Sequence, residues 1–217
     1  MRTLSKPAGL PVFPPHDDAG GDCLLARLLA EEPCRADVTW PVGFEGGVAH
    51  RLDTSTSGAL AVADDLAELV ALRDLFTRKA LLKTYVLRSA REVPWNDNLV
   101  EVALAHDRRR KGRMVVQRGA STPHRGRWLP ARTALTRIGE GLWRAEMRTG
   151  VMHQIRIHCA FVGLPLLGDR VYGGGKTPTD APEGVTFFLH HVGFQGEGVA
   201  TSPVPSPSWA STMLTGA

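Results

Sequence analysis

The sequence predicts an α+β fold, on three observations. Apolar residues recur at helical spacing in two stretches, Cys23 to Glu32 and Leu66 to Thr77. Strand formers gather between Leu82 and Arg88. The segment from Arg132 to Arg148 alternates polar and apolar residues about a Gly139-Glu140-Gly141 turn, the pattern of a hairpin with one wet face. At 217 residues, 43% hydrophobic and 22% charged, the chain is long enough to bury a substantial core and reads as globular. With no internal repeat and no long linker, residues 1–200 read as one domain and residues 201–217 as a loosely held Pro/Ser-rich tail.

Each element follows from local chemistry. The opening Ser5 to Pro15 is too rich in proline for a helix and reads as an extended entry segment. Asp22 is placed to cap a helix carrying Leu24, Leu25, Leu28 and Leu29 on one side, which Pro33 stops. A short polar loop at Asp53 leads into a strand-like Ala59 to Ala63. Asp64 or Asp65 then caps the second helix, with Glu68 completing a capping box and Leu66, Leu69, Val70, Arg73 and Phe76 tracing a face. Tyr85 is expected to project from the strand Leu82 to Arg88. His106 to Arg113 is the densest positive run and reads as a hairpin tip. His153 to Val162 is a helix stopped by Gly163 and Pro165, and Thr186 to Phe194 a last strand.

The net charge of +4 and pI near 9.2 favour a polyanionic partner. Three cysteines, Cys23, Cys34 and Cys159, without a Cys-x-x-Cys spacing, argue against a disulfide framework and a structural zinc site and for a reducing compartment. No secretory signal pattern and no apolar run long enough to cross a bilayer is present, so the expectation is a cytoplasmic protein without a membrane partner. His153, His158, His190 and His191 have no recognised ligand spacing, and no metal is expected.

The most informative block is Ala49-His50-Arg51-Leu52-Asp53-Thr54-Ser55-Thr56-Ser57-Gly58. Asp53 is either an Asx-turn acceptor or a catalytic carboxylate presented on a loop. Downstream come Lys83-Thr84-Tyr85, then Thr149-Gly150-Val151-Met152-His153-Gln154-Ile155-Arg156-Ile157-His158, then Gly163-Leu164-Pro165 and Gly168-Asp169-Arg170-Val171-Tyr172-Gly173. In this order the blocks resemble the RluA-type pseudouridine synthases, across residues 6 to 194. That family reads His-Arg-Leu-Asp, Thr-Ser-Gly, Lys-x-Tyr, Thr-Gly-Arg-x-His-Gln-x-Arg-x-His, Gly-x-Pro and Gly-Asp-x-x-Tyr-Gly.

The resemblance implies a central, mainly antiparallel sheet with flanking helices and an active cleft across it. It also implies a cofactor-free isomerisation of uridine to pseudouridine in ribosomal or transfer RNA. The bond from N1 to C1′ breaks and one from C5 to C1′ forms, with no redox change. Asp53 corresponds to the family's nucleophile or base, a role its ionisation at neutral pH suits. Arg156 corresponds to the cation kept against that carboxylate, and a guanidinium there favours the charged form. Tyr85 corresponds to the active-site tyrosine that stacks on uracil. Arg51 is expected to fill the space left by an extruded base or to hold a flanking phosphate. Thr56, Lys83, His153 and Gln154 are the remaining substrate-contact candidates, and Arg108, Arg109, Arg110, Lys111 and Arg113 form a phosphate clamp unless they are only a solvated tip. Gly168, Asp169 and Tyr172 read as a tight turn shaping the wall of the site.

Two departures stand out: Val151 replaces a family Arg, and Thr54-Ser55 replaces a pair often charged. Almost nothing precedes the family's Lys-Pro-x-Gly, and no appended N-terminal RNA-binding domain is read, so RNA grip is expected from the catalytic domain, acting as a monomer. A non-catalytic RNA-binding relative of the same fold is the alternative, and a nucleoside hydrolase a third reading.

Overall fold

The structure is a computed structural model that describes residues 1–14, 20–89, 91–179, 181–183 and 185–213. Among these, the strands are β1 (Arg2–Lys6), β2 (Ser57–Val62), β3 (Leu82–Arg88), β4 (Asp97–Glu101), β5 (Leu104–Asp107), β6 (Met114–Val116), β7 (His124–Leu129), β8 (Arg132–Gly139), β9 (Leu142–Met147), β10 (Leu189–Gly196) and β11 (Val199–Ala200). The helices are α1 (Leu24–Glu31), α2 (Leu66–Thr77) and α3 (Gln154–Phe161), with short 3-10 turns between elements. Strand pairing is mainly antiparallel, and the fold is α+β as the sequence predicts. No helix is long and apolar enough to cross a membrane.

The chain packs as two compact units, Met1–Lys83 with His190–Ser206, and Thr84–Leu189 with Pro207–Ala217, where the sequence reads as one domain. In the first, β1 runs antiparallel to β2 with Lys6 opposite Gly58, and β10 lies parallel to β2 with His190 opposite Ser57. The strand before Lys6 therefore exists, although only five residues make it; its polar sequence gave no period-2 signal. The Ser5 to Pro15 segment is extended only as far as Lys6, and Pro15 lies outside the described residues. Gly58 sits at φ +124°, and a Cβ there would fall 2.1 Å from the His191 carbonyl oxygen, so only glycine allows β2 and β10 to close.

Both helices of this unit form where expected, with corrected details. The cap of α1 is Cys23, whose sulfur accepts from the Ala26 amide at 3.3 Å, while Asp22 is drawn off into an ion pair with Arg27. In α2, Asp65 caps by accepting from the Glu68 amide at 2.8 Å. The buried face is Leu69, Leu72 and Leu75, packed with Ala61, Ala63, Leu81 and Phe194; Val70, expected on that face, is 62% exposed. Leu72 and Leu75 set the i, i+3, i+6 stripe that decides the matter.

In the second unit β9 lies between β3 and β8, and β4 closes against β8. The β8–β9 hairpin buries Trp143 fully, edge-on to Trp95 at 4.9 Å. A separate three-stranded sheet, β6-β5-β7, packs Leu104, Met114 and Val116 on Ile157 of α3. The last long strand, β10, starts at Leu189 rather than Thr186. Trp209 of the tail is buried and meets Phe188 at 5.4 Å, so the tail is anchored there rather than loose; residues 214–217 lie outside the described set.

Candidate active site

The Asp53 loop is a turn braced from beneath. The Thr56 amide donates to the Asp53 carbonyl at 3.0 Å, closing a turn with Thr54 and Ser55 at its tip. Lys6, only 1% exposed, donates its ammonium to the carbonyls of Pro7, Leu10 and Thr54 at 2.9, 2.6 and 3.0 Å. The Gly9 amide adds a second bond to Thr54 at 2.9 Å. Burial pulls Lys6 down to about 8, against the pull of the Asp53 charge, which raises it. Leu52 is buried, Asp53 half-buried and Arg51 exposed. Thr56 and Lys83 are buried; Lys83, pulled down to about 8 by burial, lies 5.8 Å over the Phe76 ring.

On its other flank the turn is tied to β10 by histidines. His50 accepts the Ala61 amide on Nε2 at 3.1 Å and packs against Phe76, His191 and Phe194. Ser57 Oγ pairs with His190 Nδ1 at 2.9 Å, and His191 Nδ1 donates to the Ala59 carbonyl at 2.6 Å. Burial holds His190 and His191 at about 4 and puts His50 well below its usual range, where His191 and Lys83 push it further.

These depressed values have a stability consequence. Between pH 6.5 and 4 the unfolded chain binds protons that the folded chain refuses, so stability present above 6.5 is lost as pH falls toward 4. The loss reaches up to about 3 kcal/mol for each of His190 and His191. Urea unfolding followed from pH 7 to pH 5 should give a falling free energy, with a shallower fall in His191→Asn; a flat profile in the parent protein would contradict this.

In the second unit Arg156 is the organising group. Only 8% exposed, it donates Nε and Nη2 to the two carboxylate oxygens of the buried Asp169 at 2.8 and 2.9 Å, with the Tyr172 and Phe187 rings each 5.2 Å from its guanidinium carbon. Asp169 Oδ1 also accepts the amides of Val171 and Tyr172 at 3.0 and 3.1 Å. The Gly168-to-Gly173 segment is thus a tight turn, as read from sequence, and also the seat of the carboxylate that fixes Arg156. Sequence reasoning missed that role because Asp169 stands 13 residues from Arg156 with no periodic pattern linking them. Tyr85 is buried on β3.

His153, at φ +56° just before α3, pairs its Nδ1 with Tyr172 Oη at 2.9 Å; burial raises the Tyr172 pKa. Gln154, expected at the substrate, is used up structurally. Its Oε1 accepts from Thr149 Oγ1 and the Val151 amide at 2.8 and 3.2 Å, and its Nε2 donates to the Arg132 carbonyl and Thr133 Oγ1 at 2.9 and 3.0 Å. An amide makes about four hydrogen bonds and all four are taken, so Gln154 positions the Thr149–Val151 segment rather than meeting a ligand. Val151 itself packs toward the Leu104–Ile157 cluster.

Arg108, Arg109, Arg110 and Lys111 are all exposed at the β5–β6 tip, and Arg113 is half-buried. Asp107 shapes the tip by accepting the Arg109 and Arg110 amides at 2.7 and 3.1 Å. The Met114 amide donates to Tyr172 Oη at 2.9 Å, tethering this hairpin to the ring beside Arg156.

Comparison with known proteins finds similar chains. An uncharacterised RNA pseudouridine synthase of Bacillus subtilis (strain 168) is 32% identical over 176 residues, 81% of this chain and 56% of that protein. Ribosomal large subunit pseudouridine synthase D of Xylella fastidiosa is 33% identical over 186 residues, 82% of this chain and 52% of that one. Among solved structures, human RNA pseudouridylate synthase domain containing 1 matches with a TM-score of 0.72 at 22% identity, over 94% of this chain and 79% of that chain, a likeness of fold. The chain spans from 30% to 64% of the length of such curated relatives. A family model described as RNA pseudouridylate synthase matches residues 2–161, a span that holds both Asp53 and Arg156; the chain belongs to the RNA pseudouridylate synthase family.

Proposed function

We propose that this chain isomerises uridine to pseudouridine in structured RNA, with ribosomal RNA the first substrate to try and transfer RNA the second. The observation that carries the reading is the half-buried Asp53 carboxylate on a turn locked by the Lys6 ammonium, inside a sequence match to the family. A carboxylate ionised at neutral pH serves as nucleophile or base at the ribose. The uracil, freed from C1′, turns and rejoins through C5, and the proton lost from C5 leaves to solvent while N1 gains one. Reaching the base requires its extrusion from the helix. Arg51 is the candidate for the vacated space, and Tyr85 for stacking on the uracil face. Arg156, immobilised by Asp169, supplies a fixed cation. Thr56, Lys83 and His153 are candidates for supporting residues, and Arg108–Lys111 with Arg113 for a phosphate clamp. Residues 1–200 act as one catalytic domain, a monomer, in the cytoplasm, where the thiols of Cys23, Cys34 and Cys159 stay reduced.

The test is label release from bulk RNA carrying tritium at uracil C5. Tritiated water with no free uracil supports the isomerase; free uracil in the products indicates a hydrolase. Binding of RNA with no release from any RNA supports the non-catalytic relative.

A further inference from the structure

Strand β7 is the part of this chain that neither the motif reading nor the catalytic scheme uses. It pairs with β5 on the side away from β6, with Arg125 opposite His106 and His124 opposite Asp107. Its sequence is His124-Arg125-Gly126-Arg127-Trp128-Leu129. Gly126, at φ +76° with open space where a side chain would stand, separates two rings that meet each other: His124 and Trp128 lie 4.2 Å apart between centroids, tilted by 31°. Both are half-buried, while Arg125 and Arg127 are exposed and form no ion pair among the described residues.

Charge is gathered here. Between Leu104 and Leu129 the chain has eight Lys and Arg against one carboxylate, Asp107, while the whole chain carries only +4, so the remainder is net negative. Asp107 is occupied with backbone amides. An antiparallel edge strand that carries an aromatic ring and neighbouring arginines is suited to single-stranded nucleic acid: the ring stacks a base whatever its identity, and the guanidinium groups neutralise nearby phosphates. A duplex, whose bases are already stacked, gains nothing from the ring.

Resting on the proposed RNA substrate, we propose that β7 is a second RNA-contact element, in which Trp128, backed by His124, stacks an unpaired base while Arg125 and Arg127 hold phosphates of the same strand.

The test titrates a fluorescein-labelled 12-nucleotide oligouridine, and a duplex RNA of equal length, against full-length Asp53→Asn protein by fluorescence anisotropy, so that turnover plays no part. Trp128→Ala in that background should weaken single-strand binding about 5- to 100-fold, Trp128→Phe should retain most of the affinity, and the duplex should be little affected by either. Arg125→Ala with Arg127→Ala should reduce the slope of log affinity against log salt by about 1.4, whereas Trp128→Ala should leave that slope unchanged. Near-ultraviolet circular dichroism checks that the variants are folded, and Trp128→Phe keeps the ring in place if Trp128→Ala is not. Unchanged affinity in all three, or equal losses on single strand and duplex, overturns the assignment. If the parent protein releases label while the β7 variants bind as before, this inference fails and the proposed activity stands. If affinity falls in a protein that releases no label, the reverse holds.

Discussion

Asp53→Asn should leave the fold intact and slow label release by about 10⁴-fold or more, the scale seen when a nucleophile or base is removed from an otherwise complete site. The substitution is nearly isosteric. Bonds to the main-chain carbonyls of Asp53 and Thr54 brace the turn, and the substitution leaves those in place. What disappears is the negative charge. That loss has a second readout: the Asp53 charge is what raises Lys6 against its burial, so the Lys6 ammonium should titrate lower still in the variant, measurable by lysine side-chain NMR. Activity within tenfold of the parent, in a folded variant, would remove Asp53 from the chemistry.

Asp169→Ala should be the most damaging change to stability. It removes the two carboxylate oxygens of Asp169 that accept from Arg156 and takes that fork from a guanidinium only 8% exposed. Stripping one partner from a buried pair costs about 3–5 kcal/mol, because the surviving charge has lost both water and counter-charge. The amides of Val171 and Tyr172 lose their acceptor as well. Chemical unfolding should show a loss of that size, roughly 10 °C in melting temperature for a chain of this length. Replacing both Arg156 and Asp169 by Ala should cost less than the two single losses added together. Additive losses would mean that the pair is not coupled.

Helix α2 and the β8–β9 hairpin were legible because their periodicity is local and strong. The turn at Asp53 was legible as a loop but not as a braced one: Lys6 lies 48 residues from Thr54, and no periodic signal links them. Asp169 was read as a turn former, which it is, since its short side chain caps its own loop; its charge partner stands 13 residues away on a helix and no local pattern announces it. Gln154 looked like a ligand-facing polar group because burial is invisible in sequence, and only the four partners around its amide reveal that it is spent on backbone. Strand β7 was missed because Pro123 precedes it and Gly126 interrupts it, both of which suppress a strand reading. The two-unit packing was hidden for a related reason: β10 returns from the far end of the chain to join β2.

That return sets a timetable for biosynthesis. Ser57 meets its imidazole partner 133 residues later, and the Ala59 carbonyl its own 132 residues later. A ribosome must release His190 and His191 before the acid-bearing bend is clamped on both flanks, so a nascent chain halted near residue 180 would carry every motif of the family and still lack that clamp.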